Sequence, residues 1–559
     1  MSANKLLLDY VYEHETNRAN QIYLTQPTGG GAVVEFTWAQ LMDQSRRMAT
    51  YLKAQGFEPG SRIGILSKNT AHFMMAELAI WMAGYTTVAI FPTEGADTVK
   101  YVLTHSEASL LFVGKLDSFD QQVGGIPTGL PCIALPLSPK NSYPTWDDIT
   151  AKTEAIAGKP SRAGGDLCFI MYTSGSTGTP KGVMHTFESA TRASEGIVDF
   201  QDKEQGANFT YRALSYLPLA HIFERAWIEC AGFVMGRGHI FFAEALDTFV
   251  KDLQRARPTV FISVPRLWLK FQQGVSAKMP PKKLKTLLRI PILNNIVRKK
   301  VLTQLGLNEV VLAGCGSAPL PPALLQWYRD LGLHLSEGYG MTEDFAYSHA
   351  TNKRQQELGY VGVPYPGVER RLDEDGEILI KSIGTMKGYY KQPDLDAEVF
   401  TADGFFRTGD LGETLPDGQL KLTGRKKELF KTAKGKYVAP APIENMINES
   451  PMVENSLVSG VGQSSAYAIV VPAEGLRPKL GDAAVRAEFE AEMASVLKRV
   501  NDNVADYEQL RMIVVAKEPW SIENGQLTPT LKIKRNKIEA AVEANIDKWY
   551  AAKGAVVWS

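Results

Sequence analysis

The segment Tyr172 to Gly182, YTSGSTGTPKG, gathers the chain's densest set of groups able to hold an anion. Gly175, Gly178 and Gly182 permit a tight backbone with converging N–H groups, and five hydroxyls (Thr173, Ser174, Ser176, Thr177, Thr179) stand with Lys181 where phosphate oxygens could be surrounded. The segment is not a Walker A loop, because Gly182 follows Lys181 where Ser or Thr is required. A flexible surface loop would have the same Ser/Gly/Thr composition. It would not need the lysine or the strand-like run LCFIM that precedes it.

The elements that must position this loop follow from the surrounding pattern. Helical stretches such as TWAQLMDQSRRMATYLKAQG alternate with short β-branched runs such as RIGILS and LLFVG, the rhythm of an α/β protein with parallel strands. Ala71 to Phe91 is the most apolar stretch, but His72, Glu77 and the break at Gly84 make it a buried helix followed by a strand. After Glu369 the texture changes to DEDGEILIKS, DGFFRTGDLGE and PDGQLKLTG, which predict a meander or small barrel. Beyond Gly424 a lysine-rich stretch leads into PIENMINES, SAYAIVVPA and a helical run from Asp482 to Val504. These predict a separate C-terminal domain.

With 559 residues, more than one domain is expected. Basic and acidic residues balance at 61 each, so no global field draws in nucleic acid. Cys132, Cys168, Cys230 and Cys315 are far apart and form no CxxC pair; this disfavours a zinc site or disulfide framework and suits a reducing cytoplasm. The start, MSANKLLLDYVYEHETN, does not read as a signal peptide. Lys282 to Lys300, KKLKTLLRIPILNNIVRKK, has seven cations and no acid among its leucines and isoleucines. It suits either a solvated surface element or peripheral contact with an anionic membrane face, and Pro291 interrupts any single helix.

YTSGSTGTPKGV resembles the signature loop of the adenylate-forming (AMP-binding) superfamily, which contains acyl-CoA synthetases, beetle luciferases and peptide-synthetase adenylation domains. The other motifs of that family follow in its order: YLPLAHIFER (216–225), GSAPLP (316–321), SEGYGMTE (336–343), GEILIKSIGTMKGYY (376–390), RTGD (407–410), GRKKELFKTAKGKYVAPAPIE (424–444) and TPTLKIKR (528–535). YLPLAHIFER and TPTLKIKR look most like long-chain fatty acyl-CoA synthetases. The fold implied is a large N-terminal α/β region, 1–426, of two parallel-sheet subdomains plus a small β-barrel, followed by a mobile C-terminal α+β domain, 427–559.

The resemblance also implies roles. Tyr339 would lie against adenine, with Gly338, Gly340 and Gly316, Ser317 and Ala318 framing the nucleotide. Thr342 would contact phosphate. Glu343, with Thr173, would associate with magnesium, a hard cation that prefers oxygen ligands. Asp410 would accept the ribose hydroxyls and Arg425 support them. Lys532 would be the catalytic lysine, although Leu531 replaces the glycine that many relatives have before it. Lys427 would be the hinge, and Lys431, Gly435 and Lys436 would meet coenzyme A. His221 would border the carboxylate and thiol entrance, or simply pack. The implied reaction joins a fatty acid to coenzyme A through an acyl-adenylate, using ATP. Delivery to a carrier-protein phosphopantetheine and non-catalytic nucleotide binding are the alternatives.

Overall fold

The computed structural model describes residues 5–174, 179–354, 357–528, 531–552 and 554–559. Two largely parallel sheets carry most of the chain. The first has seven strands in the spatial order 388–389, 180–186, 167–174, 86–90, 62–66, 108–113 and 132–134. Its strands from Leu167–Ser174 to Cys132–Ala134 pair in parallel, and Pro180–Thr186 folds back antiparallel on Leu167–Ser174. The second has nine strands, with a parallel centre formed by 22–29, 239–242, 212–215, 260–263, 312–315 and 335–339.

Between these sheets runs the helix Ala71–Met82, with Thr70 capping its first turn and every residue buried. A helix apolar on all sides needs cover on all sides, as the sequence reading of a buried helix requires. Thr37 and Gln40 form a reciprocal capping box at the start of Trp38–Ala54, so this helix begins where its amphipathic pattern begins. Among the described residues, no helix is long and apolar enough to cross a membrane. All four cysteines are buried and unpaired.

The segment expected to form a meander or small barrel is a four-stranded antiparallel sheet, ordered 368–372, 377–382, 406–414 and 420–425. Backbone bonds from Val361 N–H to the Leu420 carbonyl and from Leu420 N–H to Gly362 extend its far edge. The C-terminal portion holds the mixed sheet 453–459, 466–472, 510–515 and 556–558, packed against Pro440–Asn448 and Ala483–Asn501. Its two apolar clusters draw only on residues from Phe430 onward. At about 1.5–3 kcal/mol per fully buried large side chain, residues such as Phe489, Met493 and Trp549 make this a core in its own right.

Candidate functional site

The site is assembled at strand ends. Strand Leu335–Tyr339 ends at Tyr339, and Asp410 faces Arg425 as its cross-strand partner in the four-stranded sheet. The Tyr339 hydroxyl donates to Asp410 Oδ2 at 2.8 Å, and Arg425 Nε donates to Asp410 Oδ1 at 2.8 Å. Burial and the adjacent Asp410 push the Tyr339 phenol far up, so it stays a donor. The arginine is held charged chiefly by Asp410. Each carboxylate oxygen thus has one donor and keeps a further lone-pair direction open.

Glu343 sits in the short turn Thr342–Asp344. Its Oε1 accepts a hydrogen bond from the Tyr389 hydroxyl at 2.8 Å, and Lys181 Nζ lies 5.3 Å from the centre of the same ring. Tyr389 is within reach because its two-residue strand pairs with Pro180–Thr186, the strand that carries Lys181. It lies in a motif the sequence singles out, yet nothing local marks this one residue as the bridge between Lys181 and Glu343. Asp344, behind the turn, is fully enclosed; burial, reinforced by the Glu343 charge, raises its carboxyl to about 8, so it is protonated at neutral pH. His185 binds the Thr342 carbonyl through Nε2 at 2.7 Å and is pushed down to about 4 by burial, so the turn rests on neutral groups.

Gly316 follows strand Leu312–Cys315. A Cβ there would stand 3.3 Å from the Phe223 ring and 3.6 Å from the Gly338 carbonyl. Ser317 takes φ +71°, which turns the chain at the strand end, with Ala318 next. At Gly340 a Cβ would come within 2.8 Å of the Ala346 backbone, so only glycine fits. Thr173 pairs with Lys181 across the hairpin, and Thr179 is exposed. Gly175, Ser176, Thr177, Gly178 and the Ser174 side chain lie outside the described residues.

His221 caps the turn Ile222–Glu224, its Nδ1 accepting the Phe223 N–H at 3.2 Å. The proton therefore sits on Nε2. Burial, with the Lys532 charge adding to it, pushes the ring down to about 3. A neutral donor results, not a base that could hold a proton at neutral pH. Sequence reasoning missed Asn69, which anchors this loop: its side chain binds Leu219 N–H at 2.9 Å, the Leu217 carbonyl at 2.6 Å and Ser215 Oγ at 2.9 Å. No local signal could have found a residue so far away in the chain.

Lys532 reaches the site from the C-terminal portion. Its turn is held by Thr528 N–H to the Lys532 carbonyl at 2.8 Å and by Lys532 N–H to Thr528 Oγ1 at 3.0 Å. Leu531 takes φ +61°, the left-handed conformation in which a glycine would be unstrained. Lys532 keeps an exposed surface, yet protein encloses it closely enough to lower its ammonium to about 8. Desolvation is the main cause and the Arg425 charge the second; Asp410, Glu343 and Glu428 partly oppose them. Arg425 is exposed in the same way, so both cations keep contact with water.

Lys427 lies in the turn Lys426–Glu428, where its neighbour Lys426 is paired with Asp375 and Glu377. Lys431 lies over the Tyr437 ring at 4.6 Å, Gly435 takes φ +75° at an open hairpin end, and Lys436 is exposed. Among the described residues, no contact ties these three to Tyr339, Asp410 or Glu343. Helix Pro265–Lys278 clamps the C-terminal portion: Arg266 pairs with Glu454, itself held by Arg477 at 2.8 Å, and Lys270 pairs with Glu474 at 3.1 Å. Partly exposed pairs of this kind are worth at most about 1 kcal/mol. Glu454→Gln is therefore expected to lower stability by no more than about 1 kcal/mol, which urea denaturation checks.

The AMP-binding enzyme family model matches residues 13–390, and the model of the AMP-binding enzyme C-terminal domain matches residues 428–554. The chain belongs to the AMP-binding enzyme family. Among its relatives, long-chain-fatty-acid–CoA ligase FadD15 of Mycobacterium bovis is 29% identical, the match covering 97% of this chain and 96% of that one. Human long-chain-fatty-acid–CoA ligase 1 is 30% identical over 92% of this chain and 82% of its own. Among solved structures, the A-PCP didomain of carboxylic acid reductase from Segniliparus rugosus, in complex with AMP, superposes with a TM-score of 0.81 at 22% identity, covering 98% of this chain and 83% of that one. The anthranilate CoA ligase AuaEII, in complex with anthranoyl-AMP, gives 0.78 at 20% identity, covering 98% and 99%. At these identities the structures establish the fold, which is mixed α/β with parallel sheets and a C-terminal domain.

Proposed function

We propose that this member of the family activates a medium- to long-chain fatty acid with ATP and transfers the acyl group to coenzyme A, releasing AMP and pyrophosphate. The observation that supports the reading is that Lys532, from the C-terminal portion, lies within electrostatic range of Asp410, Arg425 and Glu343, together with relatives named as long-chain-fatty-acid–CoA ligases. Asp410 has acceptor capacity left for a ribose, and Arg425 pairs with its other oxygen. Lys181, Thr173, Thr342 and the glycine-rich loop are assigned to the phosphates, and Gly316, Ser317, Ala318, Gly338 and Gly340 to the walls around the nucleotide.

A magnesium ion fits the donor set. One oxygen of Glu343 is engaged by Tyr389, the other is available, and Thr173 adds a hydroxyl; all are hard oxygen donors. The ion would neutralise phosphate charge when bound with ATP. Among the described residues, Asp373, Asp375 and Glu377 bring carboxylate oxygens within 4.8 Å of one another, but Arg407 and Lys426 between them are paired with all three.

In the first step a carboxylate oxygen of the acid bonds to the α-phosphorus as the bond to the pyrophosphate oxygen breaks. Two anions must approach, and the Lys532 ammonium favours the transition state by lying against the oxygens that gain charge. The neutral His221 donates Nε2–H toward the acid's carboxylate. In the second step the coenzyme A thiol sulfur bonds to the acyl carbon, AMP departs, and the thiol proton passes to the solvent. Lys431, Gly435 and Lys436 are assigned to coenzyme A, which requires the C-terminal portion to turn about Lys427. Peripheral contact with a membrane through residues 282–300 belongs to the same proposal.

The test is pyrophosphate release with magnesium and ATP across acetate, octanoate, palmitate and benzoate, each with and without coenzyme A. Release that peaks with a fatty acid and yields acyl-CoA is expected. Release with none of them would overturn the reading.

A further inference from the structure

We infer that the turn between helices Pro281–Arg289 and Leu293–Leu305 is an apolar wedge that inserts into an anionic lipid surface. This rests on the proposed membrane contact and names the inserting residues and the lipid charge. The apolar side chains of the helix pair divide into two sets. Leu284, Val301 and Leu305 are buried in the same core as Trp268, Phe271 and Tyr328, with Leu288, Val297 and Leu302 packed against it. Ile290, Ile292, Leu293 and Ile296 instead face solvent, being 40%, 79%, 40% and 58% exposed. The first set attaches the helix pair to the body of the protein. Among the described residues, nothing covers the second fully.

The backbone forces this exposure. Leu293 N–H bonds back to the Pro291 carbonyl at 2.9 Å across Ile292, which takes φ +71° and ψ −54°. That is a γ-turn of the strained hand, occupied here by a β-branched residue that tolerates it poorly. Glycine or asparagine would suit the turn better, so an isoleucine at its tip is costly in water and useful in hydrocarbon.

The charges around the wedge select the lipid. Lys282, Lys283, Lys285, Arg289, Lys299 and Lys300 are exposed, and among the described residues none of them forms an ion pair within the chain. Arg298, the seventh cation, is occupied with the Asp330 carbonyl at 2.8 Å. With no acid between residues 282 and 300 and a net charge of zero overall, the positive field is local to this face. Cations ringing an exposed apolar tip are the arrangement that an anionic bilayer binds, and each cation near such a surface contributes about fivefold in partition.

The full-length protein should sediment with vesicles of phosphatidylcholine containing one-third phosphatidylglycerol at low salt, and not with phosphatidylcholine alone. Ile292→Asn with Ile296→Ser leaves every cation in place and should weaken binding at least tenfold; Lys282→Gln with Lys283→Gln and Lys285→Gln should weaken it further and reduce the salt dependence. Turnover of octanoate, which is soluble without a bilayer, is measured alongside and should be unchanged in both variants. No sedimentation at low salt overturns the proposal. So does undiminished binding of the isoleucine variant, which would mean surface electrostatics without insertion, and so does equal binding to polyglutamate, which would mean an acidic protein partner. Absence of wild-type turnover with octanoate and with palmitate alike would instead overturn the acyl-CoA reading and leave the vesicle result standing.

Discussion

Lys532→Ala is expected to lower the rate of acyl-adenylate formation by roughly 10² to 10³, the usual cost of removing one group aimed at charge that develops in a transition state. Conversion of a supplied acyl-adenylate to acyl-CoA should be nearly unaffected, because in the proposed mechanism Lys532 acts only in the first step. The pH dependence provides a second, independent check. Burial and the Arg425 charge bring the Lys532 ammonium down to about 8, and the active form is the protonated one. kcat/KM, which reports the free enzyme, should therefore be flat below pH 8 and fall as pH rises through about 8. Bound phosphate anions raise the lysine again, so kcat should hold to higher pH. Lys532→Arg should retain part of the activity and lose that descending limb. The same depressed value means that the unfolded chain binds more protons between about 8 and 10.5, so this residue makes stability rise with pH over that window. A Lys532→Ala enzyme with wild-type adenylation kinetics would refute the assignment.

Asp410→Ala should lower kcat/KM for ATP by roughly 10² to 10³, the loss expected when two hydrogen bonds to a charged acceptor disappear. It should also destabilise the protein by about 1–3 kcal/mol, since the buried Tyr339 hydroxyl loses the acceptor it has at 2.8 Å. Asp410→Asn separates the two effects. The amide oxygen can still accept from Tyr339, while Arg425 loses its charge partner, so stability should recover more than nucleotide affinity does. Titration with a fluorescent ATP analogue and urea denaturation, run on both variants, measure these quantities. If Asp410→Ala left the KM for ATP unchanged while lowering stability, the residue would be structural only.

Most of the architecture was legible because hydrophobic periodicity is a local property. The buried helix Ala71–Met82, the strand that follows it, the helix beginning after Asp482 and the break at Pro291 all came from spacing and punctuation within about twenty residues. The small sheet after residue 367 was legible as strands and turns. The bonds that extend its far edge were not, because they come from Val361 and Gly362, which look like loop.

The chemistry divides in the same way. Residue types, motif order and the anion-holding composition of 172–182 are properties of the chain as written; the composition named Lys181, and the resemblance that the motifs carry named Glu343, Asp410, Arg425 and Lys532 as candidates. Tertiary structure alone decided that Tyr339 and Arg425 each bind one oxygen of Asp410, that Tyr389 bridges Lys181 and Glu343, and that Asn69 holds the loop bearing His221. It also decided the protonation states: His221 pushed down to about 3, Asp344 raised to about 8 and Lys532 lowered to about 8. The physical reason is that desolvation and Coulomb interactions sum over whatever surrounds a group in space. Around Lys532 those neighbours come from strands and turns that lie from about a hundred to nearly two hundred residues earlier in the chain.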